Sequence, residues 1–201
     1  MPTPTTPAQY LLILIDMVER RGLDRSALLA GSSLAGGGLS GIGARVSDTD
    51  FNTVASNAVA LTSDPALGLK LGLRLQLSAH ATLGQAFMTC RDLGEVMDLF
   101  LRYYHLLAPA LHQEFETVEE HCILCIASVS EDQREVFFYE LLLAAILNTL
   151  RGLLDMPDLQ PRLELPYPEP AHGELYREIF GDDLQFDCVQ GRILFAAELL
   201  G

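Results

Sequence analysis

Few residues in this chain are of types that do chemistry, and most of those stand where the chemistry fails. Cys122 and Cys125 make a Cys-x-x-Cys pair. A redox pair wants its first sulfur at a helix N-terminus, where the thiol pKa falls. A zinc site wants a second pair, and none exists. Both cysteines lie in HCILCIASV, an apolar stretch that reads as a strand, where positions three apart face opposite sides. They read as core cysteines. The histidines, His80, His105, His112, His121 and His172, form no HxH, HxxxH or HExxH spacing, so no metal is expected. Gly36, Gly38 and Gly41 fit GxGxxG, but a phosphate cradle needs a strand before it and a helix directly after. Here a helical segment precedes and no Walker lysine follows, so the stretch reads as a mobile loop. There is no GxSxG elbow. Glu114, Glu116, Glu119, Glu120, Glu131 and Asp132 form a solvated run of acids, not a pair in an apolar setting. Neither an enzyme nor a cofactor is expected.

What remains are polar groups on apolar surfaces. Tyr103, Tyr104 and Asn148 each put a polar atom on a largely buried helix face. Such an atom needs a partner, either within the protein or on a small molecule held in an apolar pocket with a few placed polar groups. Arg74, in LGLRLQL, is either solvated or offers its charge to an anionic ligand. His80, in a Ser-Ala-His-Ala turn before a helix, can face a cavity.

These groups depend on elements the sequence outlines. Helices are expected over 8–21, ended by Gly22, and from Asp24 through Leu29. Another begins at Ser47 or Asp48 and stops near Asp64-Pro65. A short helix over 83–90 leads to a strongly amphipathic one opened by Asp92, with Glu95 in capping-box position. Leu93, Val96, Met97, Phe100, Tyr103, Tyr104 and Leu107 form its apolar stripe, and Pro109 ends it. Residues 111–118 and 121–129 read as a hairpin whose first strand is an edge and whose second is central. The longest helix spans 131–155 and is apolar nearly all round, with Glu140 and Asn148 as exceptions. Such a helix is covered on its second side by another layer, a further domain or a second subunit. A half-buried strand over 162–165, a helix over 173–180 and a second hairpin over 184–189 and 192–195 complete an α+β reading. The expectation is one mostly helical domain over 1–201 with a small antiparallel sheet.

At 201 residues and 49% hydrophobic composition, the chain can bury a substantial core. Its net charge is −14, from 13 basic and 27 acidic residues, which excludes phosphate-driven nucleic-acid binding by this chain alone. The longest apolar run, Leu141–Leu147, is too short to cross a membrane, and the N-terminus shows no leader pattern. A cytoplasmic location with reduced thiols is expected by default.

Several segments resemble one family. They are Asp64-Pro65-Ala66-Leu67-Gly68-Leu69-x-Leu71-Gly72, Thr82-Leu83-Gly84, Asp92-Leu93-Gly94-Glu95 and the helix ending Tyr103-Tyr104-His105-Leu106-Leu107-Ala108-Pro109. Tyr176-Arg177-Glu178-Ile179-Phe180-Gly181 and the closing 187–195 segment extend the likeness. In order and spacing they resemble the N-terminal effector-binding, arabinose-binding-like domain of AraC/XylS-type transcriptional regulators. The resemblance implies a small-molecule sensor that often dimerises. It also implies a C-terminal domain with two helix-turn-helix units, which no basic region in these residues supplies. Ligands vary across that family, so its name does not specify arabinose.

Together these readings give an expectation: a ligand-sensing and dimerisation domain of a bacterial regulator, touching DNA only through the helix-turn-helix half. Its effector, apolar or carrying an acidic group, would sit among the 93–107 and 134–154 helices and the 121–129 strand. Arg74, His80, Tyr103, Tyr104, Phe138 and Asn148 are the expected contacts. The 134–154 helix, whose second apolar face needs cover, is the expected homodimer contact. The rival readings are a ligand-free protein-interaction domain with a filled core and an enzyme with paired titratable groups in a cleft.

Overall fold

The computed structural model describes residues 5–36, 39, 44–107, 113–126 and 133–200. Gly38, Gly41, Pro109, His112, Glu131 and Asp132, named above, lie outside them. The first half is helical. Strands β1 (Thr5–Pro7) and β2 (Arg45–Ser47) pair antiparallel and bracket α1 (Ala8–Glu19) and α2 (Arg25–Leu28) in sequence. Then come α3 (Asp48–Thr62), α4 (Leu67–Gly72), α5 (Ala81–Phe87) and α6 (Leu93–Tyr103). The expected caps are in place. Asp24 accepts from the Ala27 N–H, Ser47 from Asp50 and Asp92 from Glu95. The Glu95 carboxylate reaches past Asp92 to the Arg91 N–H, at 2.9 Å.

The second half holds β3 (Gln113–Val118), β4 (His121–Ile126), α7 (Gln133–Leu154), β5 (Arg162–Glu164), α8 (Gly173–Phe180), β6 (Leu184–Gln185) and β7 (Gly191–Ala196). The sheet order is β3-β4-β7-β5-β6. As expected, β3 is an edge strand, β4 is interior, and the two pair antiparallel.

The second expected hairpin is not formed. β6 lies at the far edge, parallel to β5, and β5 stands between it and β7. The reason is competition for backbone partners. Leu163 and Leu165 donate to the carbonyls of Asp183 and Gln185, and Asp187 and Cys188 donate to those of Tyr167 and Leu165. Burying Leu163 and Leu165 commits 183–188 to that side. The α+β, mostly helical expectation therefore stands, but the sheet has five strands and is mixed.

Two hydrophobic cores share α7 as a common wall. Its Phe137, Leu141 and Ala145 join the helical core of α1, α3 and α4. Its Tyr139, Leu142, Leu143, Leu147 and Leu150 join α6, α8 and the inner sheet face of Cys122, Leu124, Ile126, Leu163, Ile193 and Phe195. Helix α4 comes close because it presents Gly68 and Gly72. A Cβ at Gly68 would stand 2.4 Å from the Phe137 carbonyl, and one at Gly72 would stand 2.6 Å from Ala144 Cβ. This corrects the reason given for α7 as a dimer contact, because its second apolar face is covered by the chain's own helices. Residues Val136–Leu154 are long and apolar enough to cross a membrane by length and composition. Here that apolar surface is the wall between two cores.

Candidate functional site

The six expected contact residues are dispersed. His80 closes a 3₁₀ turn, Leu77–His80, and is buried. Its Nδ1 lies 2.5 Å from the Tyr10 hydroxyl and its Nε2 3.1 Å from Thr149 Oγ1, so the ring ties α1 to α7. Burial lowers its pKa to about 4. Asn148 donates to the Leu75 carbonyl at 2.8 Å. His80, through Thr149, and Leu75, through Asn148, thus meet α7 along one seam. Arg74 is exposed beside it, without an ion pair among the described residues. Phe138 packs its ring on Phe51 and Phe137 in the helical core. Tyr103 is 38% exposed rather than on the buried stripe. Tyr104 is half-buried, and its hydroxyl oxygen lies 3.4 Å from the Gln113 N–H that points to it.

The most unusual group is Glu140, a carboxylate with no exposed surface, on the long apolar helix α7. Its Oε1 accepts from the Tyr176 hydroxyl at 2.8 Å and lies 2.6 Å from His172 Nε2. Tyr176 and Tyr167 place their hydroxyls 2.9 Å apart. The His172 ring stacks on Tyr176, and Tyr139 meets Tyr167 edge-on at 5.5 Å. Burial raises the pKa values of Tyr167 and Tyr176, so both hydroxyls keep their protons to donate. The other oxygen, Glu140 Oε2, is buried without a hydrogen-bond partner among the described residues, as is His172 Nδ1. It faces α4, where a Cβ at Gly68 would stand 3.1 Å from it. An uncompensated buried carboxylate oxygen costs several times what a neutral hydrogen bond contributes.

A second set lies on the sheet side of α7. The Tyr139 hydroxyl rests against Gly191, and the buried Gln113 amide sits two strands away on the same rung, across Ile126. Among the described residues, neither Tyr139 Oη nor the two Gln113 amide atoms have a hydrogen-bond partner. Both sets are hydrogen-bonding chemistry. Among the described residues no three His, Cys, Asp or Glu side chains converge as metal ligands. Cys122 and Cys125 are buried free thiols.

Sequence reasoning noted Glu140 as an exception in its helix but assigned it no role. The usable signal was a lone acid among Val136–Leu150. Its partners lie 32 and 36 residues further on, beyond any local spacing rule.

A family model described as the arabinose-binding domain of AraC transcription regulator, N-terminal, matches residues 22–201. The "Ornithine utilization regulator" of Pseudomonas aeruginosa is 34% identical over 182 residues, covering 90% of this chain and 54% of that protein. An uncharacterised helix-turn-helix-type transcriptional regulator of Mycobacterium tuberculosis is 25% identical over 203 residues, covering 90% and 58%. The chain therefore spans little more than half the length of these curated relatives. Among solved structures, the transcriptional regulator CdpR from Pseudomonas aeruginosa superposes with a TM-score of 0.63 at 21% identity, over 75% of this chain and 49% of that one. That likeness concerns the fold.

Proposed function

Since the chain belongs to the family of N-terminal arabinose-binding domains of AraC transcription regulators, we propose that it is the effector-responsive half of such a regulator, with Glu140 at its recognition point. The observation that carries this placement is the buried, half-satisfied carboxylate on the helix shared by both cores. A ligand that donates to Glu140 Oε2 binds where α4, α7 and α8 meet. It favours one arrangement of those helices over another, which is how a sensor transmits occupancy.

The chemistry of the site favours a donor-bearing, cationic effector over the apolar or acidic one expected from sequence. Oε2 is an acceptor, aromatic rings of Tyr167, Tyr176 and His172 surround the network, and the domain carries a net charge of −14. The name of the Pseudomonas relative links a regulator of this kind to ornithine utilisation, and an amine-bearing amino acid has the required group. DNA contact would come from a helix-turn-helix domain such as the relatives' names record, in the cytoplasm. A homodimer would use a surface other than α7.

Thermal unfolding of the chain against ornithine, arginine, diamines, sugars and fatty acids tests the reading. A ligand at 100 times its Kd adds about 2.7 kcal/mol, a rise of roughly 5–10 °C in a domain of this size. An amine should give that shift, and Glu140→Gln should abolish it while retaining the far-UV spectrum. An equal shift in Glu140→Gln would remove Glu140 from the site. No shift from any class would favour a ligand-free interaction domain.

A further inference from the structure

We propose that the outward face of α5 and α6 is the seat of the helix-turn-helix domain in the full-length regulator, an inference that rests on the regulatory reading above. A cleft of about 320 Å³ lies between the two helices, lined among others by Cys90, Glu95, Asp98, Leu99 and Arg102. Met88, Tyr103 and Leu106, in the same stretch of chain, are 61%, 38% and 44% exposed. They are half of the six large apolar residues exposed among those described. Helical spacing puts Leu99, Arg102 and Tyr103 on one side of α6, with Leu106 continuing it in the 3₁₀ turn Tyr104–Leu106. Exposed apolar side chains interspersed with charges along one helical face suit a protein contact.

Asp98 and Arg102 stand in the acid-first, four-apart order that favours an ion pair, yet neither makes one among the described residues. Both charges are left for a partner. The path of the chain indicates which partner. The 3₁₀ turn Ala197–Leu200 packs on α6, and the Leu200 carbonyl lies 3.2 Å from where a Cβ of Gly94 would stand. A polypeptide continuing past Leu200, as in the longer relatives, leaves beside the first turn of α6. A helix-turn-helix domain is basic where it holds phosphates, and this domain carries −14. Close tethering raises the effective concentration of such a neighbour, so a modest face suffices to hold it.

The test uses the full-length regulator with a photo-reactive benzophenone amino acid at Met88 and, in a second preparation, at Arg20. Arg20 borders α1, which belongs to the other core. Cross-links from position 88 to helix-turn-helix peptides of the same chain, with none from position 20, are expected. Leu106→Asp should cut their yield at least several-fold. No cross-link beyond residue 201, equal yields from both positions, or an unchanged yield in Leu106→Asp would each overturn the proposal. Cross-links joining two chains would overturn it as well and give the face to a second copy. Loss of sequence-specific DNA binding by the unmodified regulator would instead refute the regulatory reading, so the two failures are separable.

Discussion

The hydroxyl of Tyr139 occupies the space that a side chain on Gly191 would fill. A Cβ there would lie 1.3 Å from Oη and 2.5 Å from Cζ. The bare rung of β7 lets the hydroxyl end of the ring come up against the strand. Gly191→Ala should therefore cost about 1–3 kcal/mol, the usual range for overpacking a core. Tyr139→Phe alone should be neutral or stabilising, because the hydroxyl it deletes has no hydrogen-bond partner among the described residues. Urea unfolding checks both, and a tolerated Gly191→Ala would contradict the packing.

Gly72 pits propensity against packing. Alanine gains about 1 kcal/mol over glycine within a helix. Here its Cβ would stand 2.6 Å from Ala144 Cβ and from the Leu141 carbonyl, so α4 would have to move off α7. Overpacking costs about 1–3 kcal/mol, so after the roughly 1 kcal/mol gain in propensity we expect Gly72→Ala to lose up to about 2 kcal/mol net. A stabilised variant would show that α4 and α7 are not so close.

His80 makes stability depend on pH. Its pKa is lowered from 6.5 to about 4 by burial. Between those values the unfolded chain binds a proton that the folded chain refuses, so stability falls as pH drops from 6.5 towards 4. The full span is worth about 3 kcal/mol. Asp24 and Asp50 also lose stabilisation in acid, since hydrogen bonds from Ser26 and from the Ser33 N–H hold their carboxyls below the usual range. Asp64 and Glu95 are likewise held below the usual carboxylate range, and the acid losses of all four lie below the His80 window, so the slope above about pH 5 reports His80. Denaturation midpoints between pH 7 and 5 should decline in the wild type and flatten in His80→Gln. Parallel curves would mean His80 is not held neutral.

The thiols should divide into two classes. Cys122 and Cys125 are buried in β4, and burial pushes both pKa values up. Cys90 and Cys188 are only half-buried. A thiol reagent should label two cysteines in the native protein and the other two only in denaturant. Rapid labelling of Cys122 would mean that β4 is not interior.

How much could be read in advance depended on how local each cause is. Asp92 and Ser47 announce helix starts through side chains that cap within three residues, and α8 matches its expected span of Gly173–Phe180. The polar alternation of β3 beside the doubly apolar β4 gave their edge and interior places, because burial on both faces leaves no polar positions. Gln190-Gly191 looked like a hairpin turn, but turn chemistry carries no information about β5 taking the pairing. Tyr103 fits the apolar stripe of α6, yet it lies at the last helical residue, beyond the buried part of the stripe. Glu140 was visible as an oddity, while its role waited on His172 and Tyr176, which only the tertiary fold brings to it.

The wall shared by both cores also sets a timetable for synthesis. Leu67, Leu71 and Leu75 are made early, and the helix that covers them is not complete until Leu154. At about 5–20 residues per second, the wait from Leu75 to Leu154 is roughly 4 to 16 s, before any passage through the ribosomal tunnel. For that time the nascent helices carry an uncovered apolar face, so the growing chain, more than the finished domain, needs a chaperone.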